Sequence, residues 1–316
     1  MNKFQILIIL LILILVVLTI LYFIIGNYFY NLALNPNTSK EFVLGPIVEE
    51  TQEQKENRIQ KENWLSEKSE DVYITTSNNG NLKLHAYEIK NTEKPHIWAI
   101  VVHGYTAQGK NMIGFAEEYY NRGYNVLMLD LRGHGNSEGD YIGMGWHDRL
   151  DLIDWCNYLI NKNTDCKIIL HGVSMGAATV MMATGEELPE NVKVAIEDCG
   201  YTSMWQEFEM QLKRLFNLPS FPVLNAASAV CKIRAGYMLE EGSAVEQVKK
   251  SKTPTLFIHG EEDTFVPFEM LDIIYESANC EKQKLVIEGA THAQASSINS
   301  NLYWKTVDEF ILKYMD

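Results

Sequence analysis

A serine flanked by glycines occurs at residues 172–176 (GVSMG), which have the form G-x-S-x-G. The apolar residues 168–170 before it predict a buried strand, and the small and apolar residues 177–183 after it predict a packed helix. On such a tight turn the serine Oγ is exposed, and the glycines avoid collisions with the neighbouring strand and helix. The following helix directs its N–H groups at the oxyanion formed when a serine attacks a carbonyl. Ser174 is therefore either a nucleophile or a helix-capping serine in an ordinary turn.

Two further residues with suitable chemistry follow predicted strands nearer the C-terminus. Asp263 comes just after the apolar residues 255–258, and His292 comes just after residues 284–287. A histidine can take the proton of a serine and give it to a leaving group, and a carboxylate can orient the imidazole and stabilise its cation. Because ligands of parallel sheets bind at the carboxyl ends of the strands, we expect both side chains to meet Ser174 there.

The chain alternates between predicted strands and helices from residue 72 onward. Strands are predicted at residues 72–76, 82–89, 97–102, 126–129, 168–170, 192–196, 255–258 and 284–287, and helices at 113–122, 146–161, 177–183, 267–277 and 298–314. The turn-rich residues 77–81 predict a hairpin between the first two strands. The alternation predicts an α/β fold with a mostly parallel, doubly wound sheet.

From about residue 72 to the C-terminus, the chain resembles the serine α/β-hydrolases, and most of all the bacterial membrane-anchored members related to the serine aminopeptidase and monoacylglycerol lipase-like hydrolases. The matching segments are residues 103–105 (HGY), 130–137 (DLRGHGNS), 172–176 (GVSMG), 259–267 (HGEEDTFVP) and 289–292 (GATH). The order serine, aspartate, histidine along the chain is also that of this family. The resemblance implies an α/β-hydrolase fold, but not a substrate, because one scaffold hosts many activities.

The resemblance also implies roles for individual residues. Ser174 is the expected nucleophile, His292 the base and Asp263 the acid. The expected oxyanion donors are two backbone N–H groups, that of Met175 after the nucleophile and that of Tyr105 in the loop after residue 102. No cofactor and no metal is expected in this site.

Other titratable residues compete for these roles or suggest different ones. Asp198 also follows a predicted strand and is the alternative acid. Asp130 and Arg132 are expected to form an ion pair or to brace their loop. Four histidines are expected to shape turns or order a loop: His103, His134, His171 and His259. Three aspartates spaced at i, i+3 and i+6 are expected to form a solvated helix face rather than a metal site: Asp148, Asp151 and Asp154.

The alternation stops at about residues 200–252, which are predicted to form a small helical cap over the strand ends. Trp205, Phe216 and Phe221 belong to this segment, and their side chains suit an apolar acyl or aryl pocket. Packing of the cap on the sheet would explain the same residues. An acidic group in the cap would instead suit a substrate with a free amino terminus, and the candidates are Glu207, Glu209, Glu240 and Glu241.

The composition limits the classes of partner. The chain has 316 residues, of which 47% are hydrophobic, and this is enough for a large core. A formal net charge of −14 argues against nucleic acid or anionic lipid as a partner, because both would be repelled. The five cysteines are widely spaced and contain no C-x-x-C pair, so buried free thiols are expected rather than a redox or metal motif.

The N-terminus is predicted to be a single transmembrane helix. Residues 4–25 carry no charge and are long enough to span a hydrocarbon core of roughly 30 Å. The apolar run is too long for a signal peptide, and no small-x-small cleavage site follows it. Lys3 precedes the run and no positive charge follows until Lys40, which places the N-terminus in the cytoplasm and the remaining chain outside the cell. The free cysteines argue against export, because exported domains seldom keep free thiols.

Three parts are predicted: an N-terminal membrane anchor over residues 1–35, a charged tether over 36–71 and an α/β-hydrolase domain with its cap over 72–316. Residues 49–68 are helix-prone and form either a solvated spacer or a strap docked through Trp64. Since the candidate catalytic residues all follow residue 72, deleting the anchor is expected to leave hydrolysis of soluble esters unchanged. The predicted function is a membrane-tethered serine hydrolase that cleaves small-molecule or acyl esters through an acyl-enzyme. The alternatives are a peptidase or amidase and a non-catalytic binding protein.

Overall fold

Eight strands form one sheet in the computed structural model, which describes residues 2–44, 50–77 and 80–315. The strands are β1 Ser69–Thr75, β2 Lys83–Ile89, β3 Lys94–Val102, β4 Tyr124–Leu129, β5 Lys167–Val173, β6 Val192–Asp198, β7 Thr255–Gly260 and β8 Lys282–Ile287. Their order is β1-β2-β4-β3-β5-β6-β7-β8. The pairs β1–β2 and β2–β4 are antiparallel, and the other neighbours are parallel. The mostly parallel, doubly wound sheet expected from the sequence is confirmed.

The helices are α1 Lys3–Leu34, α2 Glu41–Leu44, α3 Gln52–Lys68, α4 Ile113–Asn121, α5 Asp148–Lys162, α6 Met175–Thr184, α7 Met204–Phe216, α8 Ser220–Ala235, α9 Ala244–Val248, α10 Glu269–Ser277, α11 Ala295–Ile298 and α12 Ser300–Tyr314. The sheet separates two hydrophobic cores, because successive side chains of a strand point to opposite faces. In β3, Ile100 and Val102 belong to one core, whereas Ala99 and Val101 belong to the other. β3 is therefore buried on both faces, as its continuous apolar run predicts.

Three helices, α7, α8 and α9, lie between β6 and β7. They interrupt the strand–helix alternation and form the cap. A small cluster of buried residues within it, Leu212, Val223 and Leu224, joins α7 to α8. The cap packs against α1 as well as against the sheet.

The N-terminal helix α1 is 32 residues long, which corresponds to about 48 Å at 1.5 Å per residue. This exceeds the roughly 30 Å of a bilayer core. The helix is apolar enough to cross a membrane, and its most apolar 18-residue stretch is not buried against the protein. Its buried residues all lie in the last third of the helix, at Gly26, Tyr30 and Leu34. The first two thirds of α1 therefore suit a bilayer, while the last third belongs to the folded domain.

Helix α3 is a docked strap rather than a solvated spacer. Its side chains are mostly exposed, but Leu65 is buried and Trp64 is half-buried. The Trp64 ring contacts Tyr120 of α4 edge-on, with 5.7 Å between ring centroids. Parts of two predicted segments lie outside the described residues, namely 45–49 of the tether and 78–79 of the hairpin turn.

One prediction about charged side chains is wrong, and another holds in only one of its two alternatives. Asp148 and Asp151 of α5 are buried, so they do not form a solvated face. The partner of Arg132 is Asp151, with 2.6 Å between Nη2 and Oδ1, and not Asp130. Asp130 instead bonds His85 and accepts hydrogen bonds from the N–H groups of residues 109 and 136. The loop that holds both residues is thus braced through two separate buried networks, which is the second of the two roles expected from the sequence.

Candidate active site

Ser174 lies on a sharp turn between β5 and α6. Its φ of 57° and ψ of −116° are rarely adopted by residues with side chains, and such strain is typical of functional turns. A Cβ on Gly172 would lie 2.1 Å from the carbonyl oxygen of Gly176, and a Cβ on Gly176 would lie 2.1 Å from that of Val102. Only glycine fits either position, which is the reason for the G-x-S-x-G pattern.

Three predicted residues meet at the carboxyl ends of the strands. His292 Nε2 lies 2.9 Å from Ser174 Oγ, and His292 Nδ1 lies 2.7 Å from Asp263 Oδ2. The serine follows β5, the aspartate follows β7 and the histidine follows β8. The arrangement provides a hydroxyl, a proton acceptor in contact with it and a carboxylate that fixes the imidazole, which suits nucleophilic attack on a carbonyl.

The carboxylate of Asp263 is held in its ionised form. Its Oδ1 accepts hydrogen bonds from the N–H groups of Phe265 and Val266, at 2.9 and 3.0 Å. Burial alone would raise the pKa of Asp263, but hydrogen bonds from His259 and His292 outweigh it and lower the pKa to about 2. His259 Nε2 is 3.4 Å from Asp263 Oδ2. The sequence assigned His259 only to a turn and missed this contact with the acid.

Asp198 is the rival acid, and its side chain has a different partner. Its Oδ2 accepts a hydrogen bond from the Tyr303 hydroxyl at 2.9 Å. Burial raises the pKa of Asp198 to about 6. Among the described residues, no hydrogen bond joins Asp198 to His292. The geometry thus favours Asp263 as the group that orients the imidazole.

The two predicted oxyanion donors lie close to the serine. A Cβ on Gly104 would be 3.3 Å from Ser174 Cβ, which places the chain before Tyr105 against the serine. In the part of the chain that the structure describes, the backbone N–H groups of Tyr105 and Met175 donate to no other protein group. The Tyr105 hydroxyl donates a 2.6 Å hydrogen bond to the carbonyl of Ala33, at the end of α1. The loop beside the serine is therefore fastened to the N-terminal helix.

An apolar cavity of about 860 Å³, including its open mouth, leads to Ser174 and Met175. Helix α7 contributes one wall, including the predicted Phe216. The other two aromatic residues expected in the pocket are not part of the lining, since Trp205 packs on the core and Phe221 is 74% exposed. The opposite wall comes from α1, which the sequence analysis treated only as an anchor, and consists of Phe29, Tyr30, Leu32, Ala33 and Leu34.

One carboxyl group lines this apolar cavity. Glu207 is 4% exposed, its Oε1 accepts a 2.8 Å hydrogen bond from Gln211, and its Oε2 has no partner within the described structure. Burial raises the pKa of Glu207 to about 7. The other acidic cap residues named from the sequence lie outside the lining, namely Glu209, Glu240 and Glu241.

Cys199 is the third member of a group with Asp263 and His292 whose potential ligand atoms lie within 4.8 Å of one another. This group has the residue types of a metal site but suits a metal poorly. Burial raises the pKa of the Cys199 thiol well above its usual range, whereas a metal needs the thiolate. His292 and Asp263 already bond each other. All five cysteines are free thiols, as the sequence predicts, and four of them are buried; Cys280 is only half-buried.

Comparisons with known proteins agree with the serine, histidine and aspartate arrangement described above. A family model described as serine aminopeptidase, S33 matches residues 93–218. The chain is 32% identical over 213 residues to the Bacillus subtilis protein YqkD, a match that covers 67% of this chain and 70% of YqkD. It is 25% identical to the Escherichia coli protein YfhR. That match covers 62% of this chain and 63% of YfhR, which is slightly less than two thirds of YfhR. Among solved structures, the esterase Pf2001 of Pyrococcus furiosus is similar, with 25% identity, a TM-score of 0.65 and coverage of 80% of this chain and 96% of Pf2001.

Proposed function

This chain belongs to the α/β-hydrolase family, and we propose that it is a membrane-tethered serine hydrolase that cleaves carboxylic esters through an acyl-enzyme. The observation that carries the proposal is the hydrogen-bonded chain from Ser174 through His292 to Asp263 beside an apolar cavity. The similar Pyrococcus furiosus protein is described as an esterase, which supports ester cleavage here. The completeness of this site disfavours a non-catalytic binding protein.

The geometry supports a two-step reaction. Ser174 Oγ attacks the ester carbonyl while His292 Nε2 takes its proton, and the ionised Asp263 stabilises the imidazolium. The N–H groups of Met175 and Tyr105 bind the oxyanion of the tetrahedral intermediate. His292 then gives the proton to the departing alkoxide, which leaves an acyl-serine. Water, activated by the same imidazole, releases the acid and restores the serine.

The anchor and its orientation form the second part of this proposal. Helix α1 is long and apolar enough to span a bilayer. Lys3 before the helix, with no Lys or Arg after it until Lys40, supports a domain outside the cell by the positive-inside rule. The four buried thiols are consistent with either side, because burial protects them from oxidation. Digestion of the domain by protease added to intact cells tests the orientation, and protection until lysis would reverse it.

Peptidase or amidase activity is the second candidate, and Glu207 is the observation in its favour. A carboxylate within the cavity could pair with the free amino group of a peptide. The surrounding cavity is otherwise mainly apolar, and burial favours the neutral form of this carboxyl. A neutral carboxyl suits a hydroxyl or ester group better than an ammonium group, so we place ester hydrolysis first.

Purified full-length protein and single variants test the reaction. Ser174→Ala is expected to lower kcat for a p-nitrophenyl ester by about 10⁴-fold or more, and to abolish labelling by a fluorophosphonate, because nucleophile and base act as one unit. Asp263→Asn is expected to lose on the order of 10⁴-fold, because the imidazole would adopt the wrong tautomer. Asp198→Asn is the matched control, since that residue is a buried carboxylate at a neighbouring strand end.

Two results would contradict the assignment. Near-normal ester hydrolysis by folded Ser174→Ala would show that Ser174 is not the nucleophile. A larger loss from Asp198→Asn than from Asp263→Asn, with both variants folded, would move the acid to Asp198. Aminoacyl arylamides assayed beside the esters decide between esterase and peptidase, and a higher kcat/KM for the arylamides would reverse our order of the two.

A further inference from the structure

The cavity beside Ser174 lies between the hydrolase domain and the N-terminal helix. Phe29, Ala33 and Leu34 of α1 line it on one side, and Phe208 and Leu212 of α7 line it on the other. The Phe29 ring also contacts Phe216 edge-on, with 5.5 Å between centroids. Without α1 the cavity would therefore be an open apolar face of the cap.

The same helix continues from this wall into its membrane-compatible part. Helix α1 has no break between Lys3 and Leu34. Ala33 lies eight residues beyond Ile25, where the strongly apolar run ends, and this is about 12 Å along a helix. The wall of the cavity is thus about two helical turns from the bilayer.

Several polar contacts fix the end of α1 on the domain. The Leu34 carbonyl accepts a hydrogen bond from the N–H of Ile142 at 2.8 Å, and the Ala33 carbonyl accepts one from the Tyr105 hydroxyl. Lys40 Nζ caps the helix by donating to the carbonyls of Leu32 and Asn35, at 2.6 and 2.9 Å. Because Tyr105 also carries a proposed oxyanion donor, α1 positions the reacting loop as well as the pocket wall.

An exposed aromatic side chain lies at the start of the cap helix α8. Gly26 of α1 contacts Ala226 of α8, whereas the ends of the two helices meet at residues 142–143. The N–H of Ile142 donates to the carbonyl of Leu34, and the hydroxyl of Tyr237, two residues after α8, donates to that of Gly143. The two helices therefore run in the same direction, and the start of α8 lies towards the bilayer. Phe221, which is 74% exposed, lies at that end of the cap. Phe221 therefore lies on the same side of the cap as the membrane-compatible part of α1.

We infer that the last turns of α1 form the acyl-binding wall of the active site, and that the substrate is an amphiphilic ester that reaches Ser174 from the bilayer. This inference rests on the proposed esterase function. The lining is apolar apart from a few polar groups, among them Ser174, Glu207 and Gln211, which suits an acyl chain whose ester group lies at the serine. The net charge of −14 favours a neutral or zwitterionic head group over an anionic one.

A photoreactive inhibitor tests where the acyl chain lies. The full-length protein in zwitterionic phosphatidylcholine vesicles is treated with a fluorophosphonate whose C12 alkyl chain ends in a diazirine. After Ser174 has been labelled, illumination is expected to cross-link the chain end to the peptide containing residues 28–34, as read by mass spectrometry. Cross-links found only in peptides that do not belong to α1 would overturn the inference. Failure of Ser174 to react at all would instead contradict the proposed function.

Two substitutions test the same wall through kinetics. Ala33→Phe adds bulk to the cavity while keeping the carbonyl that Tyr105 uses, so kcat/KM for a dodecanoyl ester relative to an acetyl ester is expected to fall by about tenfold to two-hundredfold. Phe29→Ala enlarges the cavity, so the ratio is expected to move towards longer or bulkier chains. Leu15→Phe, in the exposed part of the same helix, is the control and should leave the ratio unchanged.

Different measurements test the esterase function and the role of α1 as the acyl-binding wall. Acetyl-ester hydrolysis and labelling of Ser174 report on the esterase, whereas the ratio between chain lengths reports on the wall. A normal ratio in both Ala33→Phe and Phe29→Ala, with acetyl-ester hydrolysis present, would overturn the role of α1 and leave the esterase standing. An anionic lysolipid hydrolysed faster than its zwitterionic counterpart would overturn the assigned head group.

Discussion

Glu207 combines two features that rarely occur together, a carboxyl group and nearly complete burial in an apolar cavity. Its Oε2 has no hydrogen-bond partner among the described residues, and its pKa is raised to about 7. An unpaired ionised carboxylate there would be costly, so the folded protein retains the proton up to near neutral pH. In the neutral form, Glu207 can donate a hydrogen bond to a substrate oxygen.

Replacing Glu207 by Gln tests this protonation through stability. An unfolded glutamate has a pKa of about 4.3. Between that value and about 7, the folded protein holds a proton that the unfolded chain has released, so this group stabilises less as pH rises. Glu207→Gln removes the titration, so the midpoint of its thermal unfolding should rise relative to wild type between pH 5 and pH 7.5. Glu209→Gln, on the same helix but outside the lining, is the control, and parallel wild-type and Glu207→Gln profiles would contradict the shift.

Three residues were expected from the sequence to meet and do contact one another, namely Ser174, Asp263 and His292. Each belongs to a motif that can be recognised from the residues next to it. Ser174 needs glycines on both sides, and Asp263 and His292 follow strands, so each position can be deduced from its neighbours along the chain. Glu207 and Ala33 have no such local signal. Their importance comes from which helix packs against which, and the spacing of residues along one helix does not contain that information.

The contact between α1 and α8 depends on the absence of a side chain at one position. A Cβ on Gly26 would lie 2.3 Å from the carbonyl oxygen of Ala226 and 3.0 Å from Val230 Cγ2. Close approach of two helix backbones through a small residue is common in membrane proteins. Around this contact, the Arg234 guanidinium lies 4.4 Å from the centre of the Tyr30 ring and bonds Asn31. The contact therefore sets the distance between the anchor helix and the cap.

Substitution of Gly26 tests this close contact. Alanine favours helix over glycine by about 1 kcal/mol, so Gly26→Ala should stabilise the protein if the contact has room. We expect the opposite: Gly26→Ala lowers the unfolding temperature in detergent, and Gly26→Leu lowers it further and weakens hydrolysis of long-chain esters. Thr19→Leu, in the exposed part of α1, is the control. A higher unfolding temperature for Gly26→Ala would show that the helices do not meet this closely.

The sequence predicted the buried strands more completely than it predicted the contacts of helix α1, and the reason is physical. Buried parallel strands such as β3 and β5 have continuous apolar runs, so their positions followed from composition alone. The apolar run of α1 is equally clear, but the same residues satisfy both a bilayer and the protein interior. Length was the remaining signal: α1 exceeds a bilayer span by about 12 residues, taking about 20 residues as the span. Those extra residues carry the contacts with the cap.

On the scale of the whole molecule, the last third of α1 is packed into the hydrolase domain. Leu34 and Tyr30 belong to the main hydrophobic core of the domain. Residues after Asn35 lead into α2 and α3, and α3 docks on α4 through Trp64. In the proposed arrangement, the domain is therefore held beside the bilayer in a fixed orientation, with the wall of its cavity on the helix that enters the membrane.

Two truncations distinguish an anchor from a structural part of the enzyme. A chain that begins at residue 23 keeps Gly26, Phe29 and Ala33, so we expect it to retain ester hydrolysis and thermal stability. A chain that begins at residue 36 loses the acceptor of the Tyr105 hydroxyl and exposes the apolar lining of α7. We expect this second chain to unfold at a lower temperature, and to lose about tenfold to two-hundredfold in kcat/KM for long-chain esters. This revises the expectation, drawn from the sequence, that the anchor can be deleted without effect.

A peptide of residues 23–35 supplied to the shorter chain is the control for misfolding. If the missing wall is the cause of the loss, the peptide should restore part of the long-chain activity, because it can bind the vacant groove beside α8. A peptide carrying Gly26→Leu should not restore it, since its side chain would collide with Ala226. Equal activity and equal unfolding temperatures for the two truncated chains would mean that α1 only anchors the protein. The acyl chain would then have to be bound by the cap alone.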